Sequence, residues 1–184
     1  LAGQQFGEDE LVNAKGKKVL VIGGGDTGSD CVGTVIRQGA VDVCQIEIMP
    51  EPPEGYNPAT PWPMWPAVKR TSSSHQEGCT RRWLLNSNKF IGQDGRLTGV
   101  EVEGVIWVQD PKGGRPLMKL DGRKEIIGCD MALLAMGFLK PEHKPLAENV
   151  FLAGDAASGA SLVVRALASG KETALRIDKY LNNR

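Results

Sequence analysis

Short apolar runs that end in glycine-rich turns are the main feature of the hydrophobic pattern along the chain. Residues 17–22 form such a run, rich in β-branched residues and followed by three glycines, which is typical of a strand buried in a parallel sheet. Small and apolar residues then recur at helical spacing from Gly28 to Gly39, and residues 41–49 form a second strand-like run. The pattern predicts a βαβ unit with a right-handed crossover.

The middle of the chain has a different pattern, typical of antiparallel β-structure. Residues 92–95 and 110–114 are rich in the residues that form turns. Between them, residues 97–108 alternate imperfectly between apolar and polar side chains. Because alternation with period two indicates a half-buried strand, we expect an antiparallel meander within residues 83–135.

The C-terminal third returns to long apolar runs. Residues 130–135 and 150–153 predict two more buried parallel strands. Residues 161–181 carry an apolar stripe at helical spacing, which predicts a final helix. Together with the first βαβ unit, these segments indicate an α/β fold that contains an antiparallel insertion.

A proline-rich segment at residues 50–66 separates the βαβ unit from the meander. Proline lacks a backbone N–H donor and fixes φ, so this density of prolines excludes a helix or a central strand. The segment is therefore expected to be an extended surface loop. Since exposed tryptophan is unfavourable, Trp62 and Trp65 are expected to pack the loop down against the protein.

The composition is that of an ordinary globular chain. The 184 residues include 22 Lys and Arg against 22 Asp and Glu, and 41% are hydrophobic. Zero net charge argues against a protein that coats nucleic acid. No apolar run approaches the roughly 18 residues that a membrane helix needs. We therefore expect neither nucleic acid nor a membrane as a partner.

The cysteines are isolated from one another in the sequence, at Cys31, Cys44, Cys79 and Cys129. No two of them form a CxxC pair, which argues against a structural zinc site. Four cysteines in a chain of this length are too few for a disulfide scaffold. They are expected to be reduced thiols in a cytoplasmic protein.

The strongest local motif is G-x-G-x-x-G at Gly23, Gly25 and Gly28, between the first predicted strand and the first predicted helix. In this context the first glycine permits a tight turn, the second lets a pyrophosphate approach the backbone, and the third lets the helix pack on the strand. The N–H groups at the helix start then meet the anion. The candidate cofactor-binding residues of this turn are Gly23, Gly24, Gly25, Asp26, Thr27 and Gly28. The alternative is a glycine turn without a ligand.

An acidic residue at the end of the second predicted strand is a candidate for selecting the coenzyme. Glu47 lies 19 positions after Gly28, close to the spacing of about 20 expected for a ribose-binding acid. A carboxylate there accepts hydrogen bonds from a 2′-hydroxyl and repels a 2′-phosphate, which favours NADH over NADPH. The alternative is that Glu47 is a solvated charge and that a distant arginine, Arg70 or Arg81, makes the selection.

A second glycine turn follows the predicted strand at residues 150–153. Gly154 and Asp155 are followed by Gly159, Ser161 and Leu162, before the final helix. An aspartate beside a helix start suits a polyol and pyrophosphate ligand, because the carboxylate accepts hydrogen bonds from hydroxyls while backbone N–H groups face the anion. The alternative is that Asp155 is only a turn residue.

The other candidate features are weaker. Gly137 is a third glycine after a predicted strand, at the strand end where open α/β sheets bind ligands. His75 and His143 are far apart in the sequence, and no G-x-S-x-G motif is present. The sequence therefore predicts no catalytic acid or base and no metal ligand, and both histidines are expected at the surface.

Four segments together carry a resemblance to a known family. Residues 19–31, 50–66, 133–138 and 154–164 resemble the small (beta) subunit of glutamate synthase, and the resemblance covers nearly the whole chain. The Pro- and Trp-rich loop is its most discriminating part. The chain resembles the branch in which an acid, here Glu47, replaces an arginine-bearing strand end.

The resemblance implies a particular domain organisation. It implies a Rossmann-like three-layer NAD(P)H-binding domain with the meander inserted before its last strand, itself inserted in an FAD-binding domain. The expected boundaries are a lead-in linker at 1–16, the NAD(P)H domain at 17–137 and the C-terminal part of the FAD domain at 138–184. The chain is expected to be a C-terminal fragment that lacks the N-terminal FAD and iron–sulfur region, so only half of the FAD site is expected in it.

The resemblance also implies an activity. In this family NAD(P)H gives a hydride to FAD, and electrons pass through iron–sulfur clusters to the FMN of a large (alpha) subunit that makes glutamate from 2-oxoglutarate and glutamine. Gly23, Gly25 and Gly28 would hold the NAD(P)H pyrophosphate, Asp155 the FAD ribityl chain, and the turn at 159–161 would face the flavin. Two alternatives stay open: a related flavoprotein of the dihydropyrimidine dehydrogenase type, and a nucleotide-binding or subunit-docking module without activity of its own.

Overall fold

The computed structural model describes residues 12–64, 67–137, 141 and 147–182. The chain divides into two compact units, Leu1–Met136 and Gly137–Arg184. The strands are β1 (Lys18–Ile22), β2 (Asp42–Glu47), β3 (Thr80–Trp83), β4 (Leu85–Gln93), β5 (Arg96–Val108), β6 (Leu117–Gly128) and β7 (Met131–Leu134). The helices are α1 (Asp26–Arg37), α2 (Ser73–Gln76), α3 (Asp155–Ser158) and α4 (Val163–Asn182).

The first unit is built on a four-stranded sheet of order β3-β2-β1-β7, in which all neighbouring strands are parallel. Val19 of β1 pairs with Val43 of β2 on one side and with Met131 of β7 on the other. The predicted strands at 17–22, 41–49 and 130–135 are therefore confirmed. Strand β3 was not predicted, because its four residues include two arginines and no apolar run.

The predicted antiparallel insertion is confirmed. Strands β4, β5 and β6 form a separate sheet, joined as consecutive antiparallel neighbours between β3 and β7 in the chain. Asp94 and Gly95 both have positive φ, 52° and 74°, at the turn from β4 to β5. A two-residue hairpin turn with this conformation favours an Asp-Gly pair, which is why the sequence identified this turn correctly.

The core lies on both faces of the parallel sheet, and this explains why β1 reads as a continuous apolar run. Toward α1, the buried side chains are Val19, Val21, Val32, Val35 and Val43. On the other face, the buried side chains from the two sheets are Leu20, Ile22, Ile46, Val100 and Val102. The first unit therefore has the three layers that the resemblance implied: helix α1, the parallel sheet and the antiparallel sheet.

The proline-rich segment contains no helix or strand in its described residues, as expected. The expected packing of its tryptophans is wrong for Trp62, which is 90% exposed, while Trp65 lies outside the described residues. Polar contacts close the loop instead: Asn57 Nδ2 donates to the Ala67 carbonyl at 2.9 Å, and the Ala67 N–H donates to Thr60 Oγ1 at 3.0 Å. These two hydrogen bonds join residues 57 and 60 to residue 67 and do not involve Trp62.

The second unit contains α3 and α4, and the strand predicted at residues 150–153 is not formed. A strand needs a hydrogen-bonded neighbour, and no other described segment of this unit pairs with these residues. They lie instead on the long helix: Thr173 Oγ1 donates to the Leu152 carbonyl at 3.2 Å, and the Gly154 N–H donates to Ser169 Oγ at 3.0 Å. The extended run is therefore held by side chains of α4.

The predicted C-terminal helix is confirmed and begins at Val163 rather than at residue 161. Its apolar stripe is exposed within the described residues, with Val163 72% and Leu167 64% accessible. Thr173 is the buried residue of this helix. No helix in the described ranges combines the length and hydrophobicity needed to cross a membrane.

Candidate functional site

The glycine-rich turn joins β1 to α1 at the centre of the parallel sheet. Gly23 has φ of +124°, which only glycine adopts without strain, and its N–H donates to the Ile46 carbonyl at 2.9 Å. A Cβ at this position would lie 2.2 Å from the backbone oxygen of Ala135. The turn between Ile22 and Asp26 is therefore as tight as the sequence predicts, and it requires glycine at its first position.

The other three glycines of the motif differ in what surrounds them. A Cβ at Gly28 would lie 2.2 Å from the Gly23 carbonyl oxygen, and a Cβ at Gly24 would lie 2.3 Å from a carboxylate oxygen of Glu47. A Cβ at Gly25 would meet no atom within 4 Å. Backbone packing thus explains glycine at 23 and 28, only the end of the Glu47 side chain lies near Gly24, and the space above Gly25 is open.

Gly25 is also the N-cap of α1. The first N–H groups of a helix have no partner within the helix, and no side chain among the described residues caps those of α1. Asp26 and Thr27 form the first turn of this helix. The open space above Gly25 therefore adjoins the positive end of a twelve-residue helix, an arrangement that suits an anion.

A cavity of about 620 Å³ opens from this turn. Its wall combines the glycine-rich turn, the end of β2, the start of the proline-rich segment, the residues that follow that segment and residues of β3; examples are Gly25, Asp26, Glu47, Pro52, Val68 and Trp83. This volume is within the range of small-molecule binding sites. The sequence predicted the turn and Glu47 as parts of the site. It did not predict the walls that the proline-rich segment, the residues after it and β3 contribute.

Glu47 lies at the end of β2 and reaches back to the turn. One carboxylate oxygen accepts the Gly24 N–H at 2.5 Å, and the other accepts the Ile48 and Met49 N–H groups at 2.9 and 3.2 Å. The carboxylate is therefore held by backbone donors while it lines the cavity. This placement brings Glu47 together with the motif, as its spacing in the sequence predicted.

Three arginines line the same cavity: Arg70, Arg81 and Arg82. Arg82 forms a bidentate ion pair with Glu125 of β6, whereas Arg81 donates to the Arg70 carbonyl at 3.0 Å and lies 5.1 Å from the ring centre of Trp83. The two arginines weighed as alternatives to Glu47 are thus at the site. Arg82 was missed, because nothing in the sequence indicated that β3 borders the turn.

Two further side chains at the site were not predicted. Gln45, in the middle of β2, donates from Nε2 to the Gly23 carbonyl at 2.9 Å, and its Oε1 lies 2.9 Å from Nε2 of His75. A polar residue within an otherwise buried strand was the available signal for Gln45. His75, expected at the surface, is only partly exposed, because it packs against Gln45 and Ser72. His143 lies outside the described residues.

The environment of His75 disfavours its charged form. Burial, followed by the positive charge of Arg81, lowers the pKa of the imidazole from its ordinary value of 6.5. The neutral ring is therefore favoured at neutral pH. Ser72 N–H donates to Nδ1 at 3.2 Å, so Nε2 carries the proton and donates to Gln45.

The cysteines are partly buried, except Cys129, which is buried. All four are free, and burial raises the pKa of Cys44 to about 11. The pKa values of Cys31, Cys79 and Cys129 are also raised, chiefly by burial. None has the lowered pKa of a nucleophilic cysteine. Across the described ranges, no group of three or more His, Cys, Asp or Glu residues is arranged to hold a metal ion.

The second candidate turn lies within the second unit. Gly154 and Gly159 flank α3 and both have positive φ, 58° and 91°, while Asp155 is the first residue of that short helix. Ser161 and Leu162 follow before α4 and are exposed. Gly137, with φ of 80°, is the first residue of the same unit. Residues 154–162 thus form one short segment that contains α3 and leads into α4.

Comparison with known proteins finds relatives that match nearly the whole length of this chain. The chain is 40% identical over 207 residues to the glutamate synthase [NADPH] small chain of Mycobacterium tuberculosis, covering 96% of this chain and 41% of the relative. It is 34% identical over 205 residues to glutamate synthase [NADH] of Saccharomyces cerevisiae, covering 94% of this chain and 10% of the relative. The chain therefore spans about two fifths of the small chain it matches. No family model matches.

Solved structures share the fold at low sequence identity. FprA of Mycobacterium tuberculosis in complex with NADPH superposes with a TM-score of 0.61 at 12% identity, covering 93% of this chain and 54% of that protein. Thioredoxin reductase of T. acidophilum superposes with a TM-score of 0.52 at 19% identity, covering 89% and 52%. The predicted α/β fold class is confirmed, since the chain shares the fold of these two oxidoreductases.

Proposed function

We propose that this chain, a homologue of part of the glutamate synthase small chain, is the NAD(P)H-binding, electron-input module of a glutamate synthase. The observation that carries the proposal is the open space above Gly25. Open space above a glycine at a helix N-terminus is what a diphosphate needs to approach the backbone N–H groups.

The residues at the turn fit a pyrophosphate. The backbone N–H groups at the start of α1, from Asp26 onward, and the positive end of the helix would hold the diphosphate of the coenzyme. NAD(P)H, when bound, supplies a hydride to a flavin. The protein's part is to bind and orient the coenzyme, so no side chain is assigned as a catalytic acid or base.

We infer that NADH is favoured over NADPH because Glu47 lies directly beside the turn. Its carboxylate accepts the Gly24 N–H and lines the cavity, where it would accept hydrogen bonds from a ribose 2′-hydroxyl and repel a 2′-phosphate. Arg82 faces the same cavity, but its charge is balanced by Glu125. Tighter binding of NADPH would assign the selection to the arginines instead.

The second unit is proposed to supply half of an FAD site. Asp155 would bind the ribityl chain, and the turn at 159–161 would face the flavin. The partners proposed are the N-terminal FAD and iron–sulfur region of the small subunit and the large subunit that makes glutamate from 2-oxoglutarate and glutamine. In this proposal 17–137 is the NAD(P)H domain, 138–184 belongs to the FAD domain, and the assembly is cytoplasmic.

Separate titrations with NADH and NADPH test the coenzyme assignment. By isothermal titration calorimetry we expect both to bind, NADH more tightly. Gly25→Val should weaken binding at least about tenfold, since its side chain fills the space left for the diphosphate. Gly55→Val is the matched control, because Gly55 also has open space around it, has no positive φ and does not line the cavity.

Each outcome separates the alternatives. Failure of the wild-type chain to bind either coenzyme would leave only the subunit-docking function. Equal binding by Gly25→Val and the wild type would remove the turn from the site. After reconstitution with FAD, we expect little flavin absorbance to remain with the chain; stoichiometric retention would contradict the half-site proposal.

A further inference from the structure

We propose that His75 is a positioning residue for coenzyme binding, which acts through Gln45 to hold the peptide between Gly23 and Gly24 in its binding orientation. The inference rests on the proposed function and adds to it a residue that lies outside the glycine motif. His75 follows the proline-rich loop in α2, 50 positions after Gly25 in the sequence.

The peptide group between Gly23 and Gly24 is held from both sides by one strand. Its carbonyl oxygen accepts a hydrogen bond from Gln45 Nε2 at 2.9 Å, and its N–H donates to Glu47 at 2.5 Å. Gln45 and Glu47 are two positions apart on β2, so their side chains lie on the same face of the strand. Because glycine rotates freely, this double contact fixes a peptide that would otherwise reorient easily.

Gln45 needs a partner that fixes which way its amide group points. The two ends of an amide have nearly the same shape but opposite hydrogen-bonding character. Gln45 is 2% exposed, so water cannot satisfy the end that does not contact Gly23. His75 Nε2 lies 2.9 Å from Oε1 of Gln45 and thereby leaves Nε2 of Gln45 to donate to the turn.

The tautomer of His75 is set in turn by Ser72. The Ser72 N–H donates to Nδ1 at 3.2 Å, so the proton of the neutral ring is on Nε2. Ser72 Oγ lies 2.5 Å from Ser29 Oγ, which connects this end of the relay to α1. The donors therefore run in one direction, from Ser72 through His75 and Gln45 to the carbonyl of Gly23.

Protonation of His75 would leave this relay in place, because Nε2 carries a proton in both the neutral and the charged ring. A proton on Nδ1 would oppose the Ser72 N–H at 3.2 Å, but Ser72 Oγ lies 3.0 Å from Nδ1 and would accept it. Burial and Arg81 lower the pKa of His75, so the ring is neutral at neutral pH and gains a charge only in acid. The charged groups that share the cavity with His75 are Asp26 of α1, Glu47 of β2, Arg70 of the preceding loop, and Arg81 and Arg82 of β3.

Binding of NAD⁺ at pH 7.5 tests the inference. NAD⁺ carries the same diphosphate as NADH and is stable in acid. At pH 7.5 we expect His75→Ala to weaken binding about tenfold. His75→Gln, which can still donate to Gln45, should bind within about threefold of the wild type.

The matched control is Glu77→Ala. It removes the ion pair between Glu77, directly after α2, and Arg37 of α1, which is another contact between these segments but lies outside the relay. We expect an unchanged dissociation constant for this variant. Circular dichroism of each variant reports whether the fold is retained.

The possible results separate the inference from the proposed function. Absence of NAD⁺ or NADH binding by the wild type would overturn both. Normal binding by the wild type with an equal dissociation constant for His75→Ala would overturn the positioning role alone. A folded His75→Gln that binds NAD⁺ about tenfold more weakly than the wild type would also overturn it, and this comparison decides the question if His75→Ala fails to fold.

Discussion

The two glycine turns of the molecule differ in how completely their surroundings are built. At residues 23–28, buried apolar side chains lie on both faces of the sheet, and neighbouring atoms closely limit three of the four glycines. At residues 154–159, glycines with positive φ flank a single helical turn, and the following helix exposes apolar side chains such as Leu167. A turn conformation can thus be encoded locally, whereas a complete binding site also needs packed neighbours around it.

Glycine-to-alanine changes should give the largest contrast between the two regions. Gly28→Ala places a methyl group 2.2 Å from a backbone oxygen, so we expect a loss of about 4 kcal/mol in the free energy of unfolding. Gly170→Ala in α4 meets open space and should gain about 0.5–1 kcal/mol, because alanine is the better helix former. Denaturant titration followed by circular dichroism measures both. Equal effects would show that the turn at 23–28 tolerates a side chain.

Truncation of apolar side chains should give the next largest contrast. Leu20 is fully buried beneath the antiparallel sheet, and Leu20→Ala should cost about 3 kcal/mol through lost burial and the cavity left behind. Leu167→Ala on the exposed stripe of α4 should change stability by less than about 0.5 kcal/mol. Urea midpoints of the two variants provide the comparison. A large loss from Leu167→Ala would mean that the stripe is covered in solution.

Acidification should have a smaller effect, confined to the first region. His75 has a lowered pKa in the folded state, so the unfolded chain binds its proton more readily. The contribution of His75 to the free energy of unfolding is fully present above pH 6.5. It declines as the pH falls from 6.5 toward the folded-state pKa and levels off below that pKa. We expect His75→Gln to lack this component in thermal unfolding measured from pH 7.5 to 5. Parallel curves for the wild type and the variant would contradict it.

Elements with a strong local pattern were predictable, and those that depend on neighbours were not. The signal lies within a few residues for four features: the apolar run of β1, the glycine turn, the Asp94-Gly95 hairpin and the stripe of α4. Strand β3 forms because β2 offers it a parallel edge, with Ile46 paired to Arg82, although its own sequence is polar. The run at 150–153 shows the reverse, since an apolar sequence without a paired neighbour did not become a strand.

The site divides in the same way. The sequence by itself determined the turn, because the conformation of Gly23 and the close contact at Gly28 depend on the absence of a side chain, and the spacing along β2 determined that Glu47 would reach it. Only the tertiary structure decided that the arginines and His75 would line the same cavity. These residues come from segments that strand pairing and burial bring together over long distances in the sequence. The type of a residue determines its chemistry, but it does not determine which residues will surround it in the folded protein.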